Sequence, residues 1–107
     1  MKVGIIILVA GLFLFGTNLC AEDGEAIFDS LRCNACHKPD TGKAMPSLKI
    51  IAAAYEGKED RLLSYFKGDS EPVVNPEKKG IMRLYIEKTK DLEDDQRKAL
   101  ADFILSH

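Results

Sequence analysis

The sequence predicts an all-α domain of four to five short helices, and three observations lead there. No segment alternates apolar and polar residues with period two for long enough to read as a strand. Beyond residue 22, apolar residues recur instead at three- and four-residue spacing. Proline, glycine and short polar runs interrupt that pattern often enough to keep each helix short.

Asp23 is placed to cap a first helix over about Gly24 to Arg32, with Ala26, Ile27 and Leu31 forming its apolar stripe. A loop from Lys38 to Met45 follows, containing Pro39, Asp40, Thr41 and Gly42. Pro46 suits the first turn of a second helix, where Leu48, Ile51, Ala52 and Tyr55 share one face and Gly57 ends the run. Residues 59–67 form a third helix, acidic at its start and basic at its end as the helix dipole favours, and Gly68 closes it. After a loop through Pro72, Asn75-Pro76 reads as a cap and first-turn proline for a fourth helix reaching about Lys90, weakened by Gly80. The last helix covers about Glu93 to Ser106, with Leu100, Phe103 and Ile104 on its apolar side. Glu93, Asp94 and Asp95 stabilise its start through the dipole.

Residues 1–21 stand apart. Lys2 carries the one charge ahead of a wholly apolar run from Val3 to Phe15, and small residues precede Glu22 and Asp23. This describes a secretory signal peptide cleaved after Ala21, leaving a domain over residues 22–107. Two other readings stay open. The uncharged run from Val3 to Ala21 could span a bilayer uncleaved, and Cys20 could carry a lipid, although Leu19 is larger than lipoprotein sites prefer. Removing Lys2 leaves 14 basic against 17 acidic residues, a net charge of −3. No concentrated basic face points to nucleic acid. An exported domain this small gains stability from disulfides, metals or a cofactor. Cys33 and Cys36 alone remain after cleavage, too few for a disulfide framework.

Those two cysteines belong to Cys33-Asn34-Ala35-Cys36-His37. C-x-x-C-H is the attachment pattern of c-type haem. Thiols three positions apart lie on one side of a helical turn, where each adds to a haem vinyl group. The histidine that follows is held under the porphyrin, within reach of the iron. Two other chemistries compete. Thioredoxin-like C-x-x-C accompanies a βαβ unit, which this sequence lacks. A zinc site needs about four ligands, and His107 is the single further histidine. For the sixth iron ligand the candidates are Met45, Met82 and His107. Met45 lies only eight residues past His37, and His107 is expected to fray at the chain end. Met82 has chain enough to travel round the haem edge, though with Tyr85 and Ile86 beside it the same residue reads equally as core filler.

From EAIFDSLRC through CNACH and PSLKIIAAAYEGKED to ALADFILSH, the chain resembles the small monohaem class I cytochromes c of bacteria. It is most similar to the short thermophile-type members whose ligand methionine sits in a helical segment. The resemblance implies a compact class I cytochrome c fold wrapped around one covalent haem c. It implies Cys33 and Cys36 as attachment points, His37 and Met82 as iron ligands, and a Pro46 carbonyl that accepts the imidazole N–H of His37. Phe28 and Phe103 would meet where the first and last helices cross. Two positions depart from the family: Met45 stands where members usually have glycine, and Arg83 follows Met82 where many have proline.

The implied role is one-electron transfer in the periplasm, with no bond chemistry and no enzyme activity. A membrane quinol-oxidising complex and a terminal oxidase or reductase are the implied partners, met by a monomer. Lys38, Lys43, Lys78 and Lys79 could steer an acidic partner, or could be ordinary solvated lysines. If Met82 did not bind, an open iron would sense or reduce a small ligand. Without haem, the cysteines would exchange disulfides.

Overall fold

Five α-helices and two 3₁₀ turns, with no strand, make up the described residues of the computed structural model, 23–42 and 45–107. The helices are α1 (Gly24–Ser30), α2 (Leu48–Ala54), α3 (Glu59–Phe66), α4 (Lys79–Lys90) and α5 (Asp94–Leu105). The turns are Cys33–Ala35 and Pro76–Lys78. The expected signal peptide and Lys43 lie outside the described residues. Among those residues no helix is long and apolar enough to cross a membrane.

Each helix end has a local cause, and several differ from expectation. α1 stops at Ser30 because Arg32 turns into the left-handed region, φ 67°, and redirects the chain into the cysteine turn. Asp23 sits at the cap position but its side chain accepts no amide. The buried face of α1 is Gly24, Ile27 and Phe28, whereas Ala26 is exposed. Gly24 sets that rotation: a Cβ there would lie 2.1 Å from the Ala99 carbonyl oxygen and 2.8 Å from Phe103 Cβ.

α2 begins after Pro46 and not on it, because Ser47 is the cap and its Oγ accepts the Ile50 N–H at 3.2 Å. Asn75 is left-handed, φ 48°, with no side-chain cap, so Pro76 opens a 3₁₀ turn and the α-helix starts only at Lys79. α4 then runs through Gly80 unbroken. α5 starts with a capping box, in which Glu93 accepts from the Gln96 backbone and the Gln96 side chain accepts the Glu93 N–H at 2.8 Å.

α5 is the hub, packed against α1, α2 and α3. Phe28 and Phe103 meet at its crossing with α1, ring centroids 5.3 Å apart and tilted 54°. α4 leans on α3, where Thr89 Oγ1 donates to the Phe66 carbonyl at 2.7 Å. Buried Arg97 joins α4 to α5. Its Nη1 donates to the carbonyls of Thr89 and Lys90, each at 3.0 Å, and of Leu92 at 2.5 Å, while Nη2 pairs with Asp94. It thereby binds the carbonyls at and just beyond the end of α4, of which that of Thr89 also accepts the Leu92 N–H at 3.2 Å.

Candidate haem site

The cysteine turn is held by its own backbone. The amides of Cys36 and His37 donate to the Cys33 carbonyl at 3.2 and 3.0 Å, so all three side chains leave one tight turn. The loop that follows is closed at its neck. Leu48 N–H donates to the Lys38 carbonyl at 2.8 Å and Lys49 N–H to that of Pro39 at 3.0 Å. Inside the neck, His37 Nδ1 donates to the Pro46 carbonyl at 2.8 Å. That bond fixes the tautomer and leaves the lone pair on Nε2, the form in which a neutral imidazole binds a metal. Gly42 permits the fold of this loop: a Cβ there would come within 2.3 Å of the Met45 carbonyl oxygen.

Beside the loop is a cavity of about 90 Å³, open to solvent in part. Cys33, His37 and Pro46 line one side, and Met82, Tyr85 and Thr89 of α4 another. Leu48, Ile51 and Tyr55 from α2, Leu62, Tyr65 and Phe66 from α3, and Leu100 and Ile104 from α5 complete it with Phe28, Pro72 and Val74. A smaller pocket continues it toward Cys36, lined also by Arg32, Met45 and Ile81. Tyr55 OH accepts the Val73 N–H at 2.9 Å and so ties the loop through Pro72 and Val74 to α2. Burial raises the phenols of Tyr55 and Tyr65, the latter to about 12.

These residues fit a haem. The walls are apolar, as a porphyrin face requires, and Cys33 and Cys36 border the same connected space as His37. Burial also pushes the Cys33 thiol up to about 11, whereas thiol exchange favours a lowered value. Of the three sixth-ligand candidates, Met82 borders the main cavity and Met45 only its extension by Cys36. His107 is elsewhere and is not frayed: its ring packs edge-on against Phe103 at 4.9 Å and its Nδ1 lies 3.0 Å from the Phe103 carbonyl. It borders a separate groove with Lys49 and Glu56. Among the described residues, no group of three or more His, Cys, Asp and Glu side chains is arranged to hold a metal ion.

A family model for cytochrome c matches residues 21–107. The chain belongs to the cytochrome c family. It is 44% identical over 59 residues to cytochrome c-551 of Stutzerimonas stutzeri, covering 52% of this chain and 57% of that protein. It is 32% identical over 89 residues to cytochrome c-551 of Pseudomonas aeruginosa, covering 80% and 78%. The chain thus spans little more than half the length of the first relative and nearly four-fifths of the second. Membership brings covalently bound haem c with its iron.

Several wall residues are absent from the sequence-based site: Tyr65, Phe66, Pro72 and Val74. A signal for two of them was present, since Pro72-Val73-Val74 is an apolar run inside a loop that has no helical face to bury it against.

Proposed function

We propose that the chain is a periplasmic one-electron carrier in which Cys33 and Cys36 hold haem c and His37 and Met82 ligate its iron. The observation that carries this reading is the His37–Pro46 hydrogen bond at 2.8 Å beside an apolar cavity that Met82 also borders. Haem supplies a ferric/ferrous couple that moves one electron. His37 is oriented by the Pro46 carbonyl, which leaves the Nε2 lone pair free to bind iron. Met82 offers a soft thioether, which favours the ferrous state and raises the reduction potential. The surrounding aliphatic and aromatic side chains exclude water, which disfavours the more highly charged oxidised state. With His37 and Met82 both holding the iron, oxygen or peroxide would find no place to bind, and the protein would perform no bond chemistry.

The charged start and apolar run of residues 1–21 support export and cleavage after Ala21. The protein acts as a monomer that takes electrons from a membrane quinol-oxidising complex and delivers them to a terminal oxidase or reductase. Exposed Lys38 and Lys78 favour acidic partners met through small, weak interfaces, whereas Lys79 is paired with Glu71.

Optical spectra of the exported holoprotein, oxidised and reduced, test this. Haem should stay attached through denaturation, and a weak sulfur-to-ferric-iron band should vanish in Met82→Ala. The potential of that variant should fall by on the order of 0.1 V, a fraction of the ~0.8 V that axial ligands span. Colourless protein matured with the attachment machinery would overturn the haem reading. A sulfur band surviving in Met82→Ala would move the ligand.

A further inference from the structure

We infer that Met45 is a shield: its side chain covers the Cys36 edge of the cavity, keeps water from it and so raises the reduction potential. The inference rests on the haem reading above. Met45 is half-buried against the pocket formed with Cys33, Cys36, Ile81, Met82 and Tyr85, in which Arg32 is the one charged residue.

Three constraints keep Met45 there. Pro46 disfavours the helical region for the residue before it and so restricts the Met45 backbone. The Pro46 carbonyl is anchored to His37 at 2.8 Å. Gly42 approaches the Met45 carbonyl so closely that even a Cβ would meet it at 2.3 Å. The backbone of Met45 is thus tied on both sides to the segment that presents His37.

Cys36 is itself exposed, so what Met45 covers is the pocket behind it toward Met82 and Tyr85, which a glycine would open further to water. A flexible, unbranched apolar side chain is suited to cover an irregular opening. Water near the iron stabilises the ferric state more than the ferrous one, so its exclusion raises the potential. Met45 works through solvent and not through coordination. It borders only the extension toward Cys36, whereas Met82 borders the main cavity as well.

The test measures midpoint potential and the exchange rate of the His37 Nδ1 proton in wild-type holoprotein and in Met45→Leu, Met45→Gln and Met45→Gly. Leucine is apolar and similar in volume, and should keep wild-type values. Glutamine keeps the length but attracts water, and glycine removes the cover. Both should shift the potential downward and speed proton exchange several-fold, with the sulfur–iron band of Met82 retained. Wild-type potential and exchange in both would overturn the inference while leaving the haem reading intact. A Leu variant that fell as far as Gln would overturn it too, because sulfur and not apolar cover would then matter. Wild-type protein without covalent haem would remove the haem reading, and the shield with it.

Discussion

The α1–α5 crossing and the α4 wall are built on opposite plans. At the crossing the protein fills its own space: Gly24 lets two backbones touch, Phe28 packs on Phe103, and Leu100 and Ala101 are almost wholly inaccessible. Along α4 it does not. Met82, Tyr85 and Thr89 face the cavity, while Ile81 and Leu84 stand 51% and 73% exposed on other sides of the helix. α4 is anchored mainly at its C-terminal end, through Thr89 to α3 and through Arg97 to α5. The difference teaches where the cofactor enters the energetics. The crossing is closed mainly by the chain itself, with Phe28 and Leu100 meeting the cavity on one side, whereas the α4 wall needs something between itself and α2, α3 and α5.

The largest expected effect comes from preventing haem attachment. Most of the buried cluster also lines the cavity, including Phe28, Leu48, Tyr55, Leu62, Phe66, Leu100 and Ile104. In Cys33→Ala/Cys36→Ala these residues surround a hollow, and a chain this short has little other core. Circular dichroism should show most of the helical signal lost, with any protected amides confined to α1 and α5. Equal protection of α4 would break the comparison.

Next is Gly24→Ala in the holoprotein. The added methyl collides with the Ala99 carbonyl and forces the helices apart, at a cost of about 1–3 kcal/mol. Denaturant unfolding should show that loss while the reduction potential stays put, since Gly24 does not border the cavity.

Arg97→Met sharpens the other half. It keeps the aliphatic stem but removes the guanidinium donor from the carbonyls of Lys90 and Leu92, and from that of Thr89, which retains the Leu92 N–H. We expect about 1–2 kcal/mol less stability, with hydrogen exchange rising first at the C-terminal end of α4.

The smallest effect is alkaline. Burial raises the Tyr65 phenol from 10.0 to about 12. A group whose folded value is raised contributes stability that is complete below the unfolded value and is lost as pH rises through the folded one. Wild type should therefore weaken between about pH 10 and pH 12 more than Tyr65→Phe does, as read from unfolding midpoints.

Much of this was legible in advance. Helical spacing placed all five helices, and the capping chemistry of Glu93 and Gln96 sits where the acidic run marked the start of α5. Gly68, expected to end α3, directly follows its C-cap Lys67 with φ of 79°, whereas α2 already stops at Ala54 and Gly57, φ 72°, lies in the turn beyond it. Asp23 and Asn75 are good capping residues by type, yet neither side chain caps: Asn75 is held left-handed, φ 48°, whereas Asp23 has the extended backbone of a cap and its carboxylate still accepts no amide. Pro46 yields the start of α2 to Ser47, and its carbonyl goes to His37 nine residues upstream.

By itself the sequence determined the helical class, the order of its elements and the Cys33–His37 turn, since periodicity and a five-residue motif are local properties of a chain. Tertiary structure alone decided which face of α1 is buried and which aromatic residues wall the cavity. It alone also set Arg97 across the end of α4 and brought Met45 to the same opening as Met82. Those outcomes depend on close approaches between segments tens of residues apart, and no local pattern encodes the distance between two surfaces.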